Sequence, residues 1–131
     1  MKNIFISYDQ VDREFASQLA HSLEKQGITA VMSGHEVGSN WLEVLKDQVK
    51  LADGFILVMP EMLAPSSNST FFEAGVARAF GKEVVVVVPD LQKVDRSNIP
   101  FDLAKAVVVD AAKQPLESVT ATVLGAVDQS L

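Results

Sequence analysis

Short apolar runs alternate with amphipathic stretches along this chain, a pattern that predicts strands alternating with helices. The predicted strands comprise residues 4–8, 28–32, 54–59, 84–88 and 106–109. Residues 84–88 are all valine, so we expect both faces of that strand to be covered, as in a parallel sheet between two helical layers. We therefore predict one α/β domain over residues 1–131, a flavodoxin-like, doubly wound five-stranded parallel sheet of order 2-1-3-4-5 with helices on both faces.

Four helices are predicted from apolar residues that recur at helical spacing. Their buried stripes comprise, in chain order, Phe15, Leu19 and Leu23; Leu42, Leu45, Val49 and Ala52; Phe72, Val76, Ala79 and Phe80; and Leu116, Val119, Val123 and Val127. Gly27 and Gly81 are expected to end the first and third helices, because a left-handed residue is favoured just past a helix. Residues 98–103 are expected to form a turn or a single helical turn.

Capping residues predict where the first three helices begin. Residues 40–43 and 70–73 match the capping box, in which a side-chain oxygen and a carboxylate three residues later satisfy free amides of the first turn. Asp9 is expected to cap the first helix, with Asp12 in its first turn. Gly75 costs up to about 1 kcal/mol relative to alanine inside a helix, which predicts a close approach at that position.

The composition excludes several classes of function. The net charge of −6 argues against nucleic acid and against an anionic membrane surface as partners. Cysteine is absent, which excludes disulfides, thiolate metal sites and a cysteine nucleophile. No apolar run approaches the roughly 20 residues of a membrane span, and the first residues leave no room for a signal peptide, so we expect a cytoplasmic protein.

The predicted strand order brings a small set of polar residues to one crevice. In this order the winding reverses between the first and third strands, and ligands bind there, outside the carboxyl ends of the strands. Ser7, Tyr8 and Asp9 follow the first strand, residues 59–70 follow the third, and Glu73 lies on the next helix. The loop of residues 33–40 follows the second strand and is expected to overhang the crevice.

Familiar nucleotide and hydrolase motifs are absent from the sequence. It has no G-x-G-x-x-G after the first strand, no G-x-x-x-x-G-K-[ST] and no G-x-S-x-G. His21 and His35 are not spaced as a ligand pair, and we expect no metal site. A phosphoreceiver site is disfavoured because the third strand ends in Met59-Pro60 rather than in acidic residues.

Glu73 has two possible roles. It either caps its own helix with Thr70, or faces a ligand in the crevice as an ionised carboxylate. A carboxylate beside the C1 atom of a sugar stabilises an oxocarbenium-like transition state or attacks it as a nucleophile. Trp41 is likewise either a partly buried anchor at a helix start or an aromatic lid that stacks on a ring.

The chain resembles a bacterial Toll/interleukin-1 receptor (TIR) domain over residues 4–89. The resemblance rests on Ile4-Phe5-Ile6-Ser7-Tyr8, Asp12, Phe15-Ala16, Leu19, Leu23-Glu24, Gly27, Gly38, Trp41, Ala52-Asp53, Ser66 or Ser67, Glu73, Ala77, Ala79 and Gly81-Lys82. Two positions depart from the usual pattern of the family. Met59-Pro60 stands where a serine is frequent, and Phe71-Phe72 stands where a tryptophan or cysteine commonly precedes the glutamate.

This resemblance implies an NAD glycohydrolase or cyclase that cleaves the bond between nicotinamide and ribose. Glu73 falls on the essential glutamate of the enzymatic members. The residues we expect to bind substrate, from the crevice and the resemblance together, are Ser7, Tyr8, Gly38, Trp41, Ser67 and Thr70. NAD is then the substrate, and no further cofactor is implied.

The resemblance also implies partners and leaves two alternatives. Members of the family often assemble through the loop that corresponds to residues 33–40, and bacterial members serve in antiphage defence, sometimes beside a separate effector protein. Some members are scaffolds without activity, which is the first alternative. Residues 69–77 also resemble nucleoside 2-deoxyribosyltransferases, the second alternative, although Asn68-Ser69 replace that family's usual acidic residue and glycine.

Overall fold

Five parallel strands form one sheet in the order β2-β1-β3-β4-β5, as predicted from the sequence. The structure is a computed structural model that describes residues 2–33, 40–61, 67–94 and 107–130. The strands are β1 (Asn3–Ser7), β2 (Thr29–Met32), β3 (Gly54–Val58), β4 (Val84–Val88) and β5 (Val107–Asp110). Ile4 of β1 is paired with Ala30 on one side and with Gly54 on the other, so β1 lies between β2 and β3.

Four α-helices in the described ranges cover the two faces of the sheet. They are α1 (Arg13–Lys25), α2 (Trp41–Leu51), α3 (Ser67–Ala79) and α4 (Leu116–Ser130). Helices α1 and α4 pack on one face, and α2 and α3 pack on the other. Across the same described ranges, none of the helices is both long and apolar enough to cross a bilayer.

Strand alternation divides the core between the two helical layers. In β1, Ile4 and Ile6 pack toward α1 and α4, whereas Phe5 packs toward α2 and α3. The predicted apolar stripes of three helices are confirmed as core, although Phe15, Leu42 and Leu116 are only partly buried. The fully packed members are Leu19, Leu23, Leu45, Val49, Ala52, Val119, Val123 and Val127.

Both predicted helix-ending glycines are confirmed. Gly27 and Gly81 have positive φ angles of 81° and 72°. After α3, the amide of Gly81 donates to the carbonyl of Arg78 at 2.9 Å, and the amide of Lys82 donates to the carbonyl of Ala77 at 3.0 Å. These bonds satisfy carbonyls that the last turn leaves free, and the left-handed backbone costs a glycine little.

The predicted capping boxes are wrong. Helix α3 begins at Ser67, so residues 70–73 lie inside the helix and Glu73 does not cap it. Helix α2 does begin after Asn40, but Asn40 makes no side-chain capping bond. Residues 10–12 form a 3-10 turn ahead of α1, and neither Asp9 nor Asp12 makes a side-chain capping bond.

The predicted inner face of α3 is also wrong. Phe72 and Phe80 are 47% and 38% exposed, and the buried side chains are instead Thr70, Glu73, Ala74 and Ala77. The two alanines permit a close approach of α3 to the sheet, and the two polar residues bind partners there. The inward face of α3 therefore combines small apolar residues with hydrogen-bonded polar ones, and the apolar periodicity does not identify it. The turn predicted at residues 98–103 lies outside the described residues.

Glycines at two positions meet very different surroundings. A Cβ atom on Gly54, the first residue of β3, would lie 2.4 Å from Val127 Cγ2 and 3.1 Å from Ile4 Cδ1. Gly54 therefore allows α4 to pack closely on the sheet. A Cβ atom on Gly75 would meet nothing within 4 Å, so the close approach predicted at Gly75 is wrong.

We expect alanine at these two glycines to change stability in opposite directions. Gly54→Ala overpacks a rigid site against Val127 and lowers the free energy of unfolding by about 1–3 kcal/mol. Gly75→Ala removes backbone freedom from the unfolded chain and therefore raises the free energy of unfolding by about 0.5–1 kcal/mol. Urea denaturation of both variants measures this. Adding Val127→Ala to Gly54→Ala should cost less than the two single losses combined; full additivity would contradict the predicted contact.

Candidate functional site

Glu73 lies on the sheet-facing side of α3 and is only 2% exposed. The Ser7 hydroxyl donates to Glu73 Oε1 at 2.6 Å, and the Ser33 hydroxyl donates to Oε2 at 2.8 Å. Each carboxylate oxygen therefore has one hydroxyl partner. The two short bonds hold the plane of the carboxylate in one orientation.

The sheet topology explains why these two serines converge. Ser7 is the last residue of β1, and Ser33 directly follows β2, the parallel neighbour of β1. The amide of Ser33 donates to the carbonyl of Ile6 at 2.9 Å, which continues the ladder past the end of β2. Carboxyl ends of parallel strands meet at one edge of the sheet, so the two hydroxyls lie side by side there.

A second hydrogen bond joins α3 to the end of β1. The Thr70 hydroxyl donates to Asp9 Oδ1 at 2.5 Å, and both residues are buried. The Ser7 hydroxyl also lies 3.4 Å from the carbonyl of Thr70. Thr70 precedes Glu73 by three residues, so the two side chains lie on one face of the helix. This bond therefore helps to set the depth and rotation of α3 at the position of Glu73.

Tyr8 contributes to the site from the other face of the sheet. Its ring is buried among residues that pack against α1 and α4, and its hydroxyl donates to the carbonyl of Ser33 at 2.9 Å. Burial raises the pKa of Tyr8 above its ordinary value; Arg13 lowers the pKa, and the Glu73 carboxylate raises it. The Tyr8 hydroxyl therefore keeps its proton at neutral pH and acts as a donor.

The structure describes some of the predicted site residues and not others. Gly38 lies outside the described residues, and the same holds for the side chains of Trp41 and Ser67, which begin α2 and α3. Ser7 binds Glu73 directly, whereas Thr70 binds Asp9. A substrate-binding role for these residues stays a prediction.

The sequence does not predict the contacts of two residues in this hydrogen-bonded group. It places Ser33 only as the first residue of a loop, and it assigns Asp9 to a helix cap at the mouth of the crevice. A usable signal for Ser33 was its place directly after the strand that neighbours β1. The partner of Asp9 could not be predicted, because the rotation of α3 places Thr70 opposite Asp9 rather than toward solvent.

Charge around Glu73 is sparse in the described chain. Within those ranges no lysine or arginine forms a salt bridge with Glu73. Lys82 donates to the carbonyl of Lys50 just ahead of β4, at the opposite end of the sheet, and Arg78 is in the last turn of α3. Arg13, at the start of α1, is the cation that acts on Tyr8.

This arrangement suits the stabilisation of positive charge. Burial of a carboxylate is costly when neutral hydroxyls are its partners instead of a cation, by several kcal/mol in general. Attraction between the carboxylate and a positive charge that develops on a bound ligand would offset part of this cost of burial. An oriented, poorly solvated carboxylate of this kind acts most strongly on a charge that appears during a reaction.

Comparison with known proteins places the chain among TIR domains. A family model described as "TIR domain" matches residues 4–123. No curated protein matches the sequence significantly. A structure of the CMP N-glycosidase BcmB of Clostridium botulinum is similar with a TM-score of 0.66 at 17% identity, covering 92% of this chain and 99% of that one. A sensor protein from Polaromonas sp. JS666 is similar with a TM-score of 0.64 at 16% identity, covering 99% and 98%. At these identities the two structures show a shared fold.

Asp12 is an acidic residue close to Asp9, and one of its carboxyl oxygens lacks a hydrogen-bond partner within the described chain. Its Oδ2 is buried and has no hydrogen-bond partner among the described residues. Burial raises the pKa of Asp12 from 3.8 to about 6, and the negative charges of Asp9 and Glu61 contribute to the rise. A carboxyl with a raised folded pKa stabilises the fold below its unfolded pKa, and this contribution is lost as the pH rises through about 6.

We therefore expect Asp12→Asn to stabilise the protein at neutral pH. The raised pKa means that ionised Asp12 opposes folding, and removing the charge should raise the free energy of unfolding by about 1 kcal/mol after allowance for solvent screening. The gain should disappear below about pH 4, where Asp12 is protonated in both states. Urea denaturation across this pH range measures the difference. Asp47→Asn on the exposed side of α2 is the control; a gain that does not change with pH would contradict the assignment.

Proposed function

This chain belongs to the TIR domain family, and we propose that it is an N-glycosidase that cleaves the bond between nicotinamide and ribose in NAD. The observation that carries the proposal is the Glu73 carboxylate, 2% exposed and held by one serine hydroxyl on each oxygen. It lies where the strand order reverses, the usual ligand site of this class of fold. The family match and the glycosidase among its structural neighbours support the same class of reaction.

Cleavage of NAD depends mainly on a group that stabilises positive charge on the ribose, and it needs no acid to protonate the leaving group. When the C1′–N bond of NAD breaks, both bonding electrons pass to the pyridinium nitrogen, so nicotinamide leaves as a neutral molecule. The positive charge then resides on the ribosyl C1′ and its ring oxygen. Glu73 stabilises that charge electrostatically, or attacks C1′ to form an ester that water later cleaves. Addition of water to C1′, with loss of one proton to the solvent, gives ADP-ribose, whereas attack on C1′ by an adenine nitrogen gives a cyclic product.

A purely structural role explains the Glu73 contacts less well. A neutral glutamine in the same place can exchange hydrogen bonds with two hydroxyls, because each hydroxyl donates or accepts. It would join β1, β2 and α3 without the cost of burying a charge. A carboxylate with two hydroxyl partners at this position is therefore better explained by chemistry than by packing.

CMP is a second candidate substrate. The CMP N-glycosidase of Clostridium botulinum shares this fold over 92% of the chain. Cleavage of CMP breaks the same type of bond between C1′ and a ring nitrogen. Cytosine, however, leaves as an anion unless it is protonated, so this reaction also needs a proton donor. NAD and CMP consequently place different demands on the site and can be separated in one assay.

Assembly and biological setting extend the proposal. We infer that copies of the chain associate through residues 33–40, because this segment corresponds to the loop through which members of the family often assemble. We propose that the enzyme works in the cytoplasm in antiphage defence, where it releases nicotinamide from NAD upon infection. A separate effector protein would act beside it. A scaffold without activity and a nucleoside 2-deoxyribosyltransferase are the alternatives that the assay below must distinguish.

We expect Glu73→Gln to fold and to lose activity. Glutamine keeps the size of the side chain and hydrogen bonds to Ser7 and Ser33, so the melting temperature should equal or exceed that of the parent. Loss of the charge should reduce NAD cleavage at least about a hundredfold, which corresponds to roughly 3 kcal/mol of barrier. Chromatography of NAD, CMP and their products at high protein concentration measures this.

Glu24→Gln is the matched control, because it makes the same change at an exposed position of α1 and should keep the parental rate. Equal rates for Glu73→Gln and the parent would refute catalysis by Glu73. If the parent cleaves neither nucleotide even when concentrated, the scaffold alternative is favoured. Exchange of free bases on a deoxynucleoside would support the transferase instead.

A further inference from the structure

Ser33 is buried, but it lies just past the end of an edge strand. It follows β2, which has β1 as its neighbour on one side in the described sheet. The amide of Ser33 donates to the carbonyl of Ile6 at 2.9 Å. Few backbone contacts hold the chain where it leaves an edge strand. The group that binds the Ser33 carbonyl therefore helps to fix the position of Ser33.

Tyr8 supplies that contact. Its hydroxyl donates to the Ser33 carbonyl at 2.9 Å, while the Ser33 hydroxyl donates to Glu73 Oε2 at 2.8 Å. The Tyr8 ring is buried in the core that α1 covers, together with Ile4 and Ile6. Packing thus fixes the ring, and the ring fixes the position of its hydroxyl. A rigid group on one face of the sheet is in this way connected to the carboxylate on the other face.

We propose that Tyr8 is a positioning residue for Glu73, because it holds the Ser33 carbonyl and so keeps the Ser33 hydroxyl on Oε2. Without the hydrogen bond from Tyr8, the Ser33 hydroxyl is no longer fixed on Glu73 Oε2, whereas the Ser7 hydroxyl still binds Oε1. The terminal torsion of a glutamate is broad, so a carboxylate held at one oxygen rotates more freely. A small misplacement of a reacting group costs up to about a hundredfold in rate. The inference rests on the proposed function for its effect on activity.

The test is a cycle of Tyr8→Phe, Ser33→Ala and the double variant, assayed for cleavage of NAD and CMP. Tyr8→Phe removes one oxygen atom and leaves the packed ring. We expect kcat to fall about tenfold while KM stays within about twofold of the parental value. Because Tyr8 acts through Ser33, the double variant should be no slower than Ser33→Ala alone.

Three results would overturn the inference. A Tyr8→Phe variant with the parental kcat shows that the hydroxyl is not needed. Losses that multiply in the double variant show that Tyr8 acts independently of Ser33. A rise in KM that persists when Ser33 is alanine shows instead that Tyr8 contacts substrate, the role predicted from the sequence.

A control separates positioning from a general loss of stability. Ser22→Ala removes a buried hydroxyl from the α1–α4 contact, where it lies 3.2 Å from the Thr120 hydroxyl. It should lower stability about as much as Tyr8→Phe does, yet keep the parental kcat. An equal fall of kcat in both variants would contradict a specific role for Tyr8.

A structural readout keeps this inference distinct from the proposed function. If the parent cleaves neither nucleotide, the proposed function fails, but the connection from Tyr8 to Glu73 can still be measured. We expect the carboxyl ¹³C resonance of Glu73 to shift in Tyr8→Phe and to shift no further when Tyr8→Phe is added to Ser33→Ala. An unchanged resonance in Tyr8→Phe would refute the connection independently of any activity.

Discussion

The site depends on one interaction, a buried carboxylate shared between the ends of two neighbouring strands. Glu73 lies on α3, and its two oxygens accept hydrogen bonds from Ser7, the last residue of β1, and from Ser33, which directly follows β2. The cost of burying such a charge is met only where the donors are already in place. A parallel sheet provides such a place, because the last residues of adjacent strands lie side by side at one edge. The ends of β1 and β2 thus place both donors side by side, where the carboxylate of α3 meets them.

The rotation of α3 departs from the apolar pattern of its sequence. Thr70 and Glu73 are buried, although Phe72 and Phe80 remain 47% and 38% exposed. The buried face also carries Ala74 and Ala77, whose small side chains pack against the sheet. Turning the phenylalanines inward would separate Glu73 from its serines and Thr70 from Asp9. Close packing and specific hydrogen bonds therefore accompany the observed face, and apolar periodicity alone does not determine it.

Much of the architecture could be predicted because five apolar runs mark the strands, and apolar residues at helical spacing mark three of the four buried stripes, as around Leu19, Val49 and Val123. The strand order was taken from the fold class that alternating strands and helices favour, and the structure confirms it. The start of α3 and its inner face were predicted incorrectly from the same kind of pattern. The capping-box spacing at Thr70 and Glu73 occurs equally well inside a helix, and only contacts from β1 and β2 distinguish the two cases. Those contacts join residues about 40 to 66 positions apart, which no local pattern encodes.

Side chains alternate between the two faces of the sheet at the end of β1, so one short segment makes contacts on both faces. Ser7 and Asp9 point toward α3, whereas Tyr8 points toward α1 and reaches Ser33 from behind. In a strand that is apolar on both faces, hydrophobicity alone does not determine which residues face which layer. The polar residues at the end of β1 add that distinction, because Ser7 and Asp9 bind partners on α3 whereas Tyr8 binds Ser33 from the other face. A shift of one residue would send Tyr8 toward α3 and leave Glu73 without Ser7. The register of a buried strand is therefore specified at its polar end, by the same residues that hold the carboxylate.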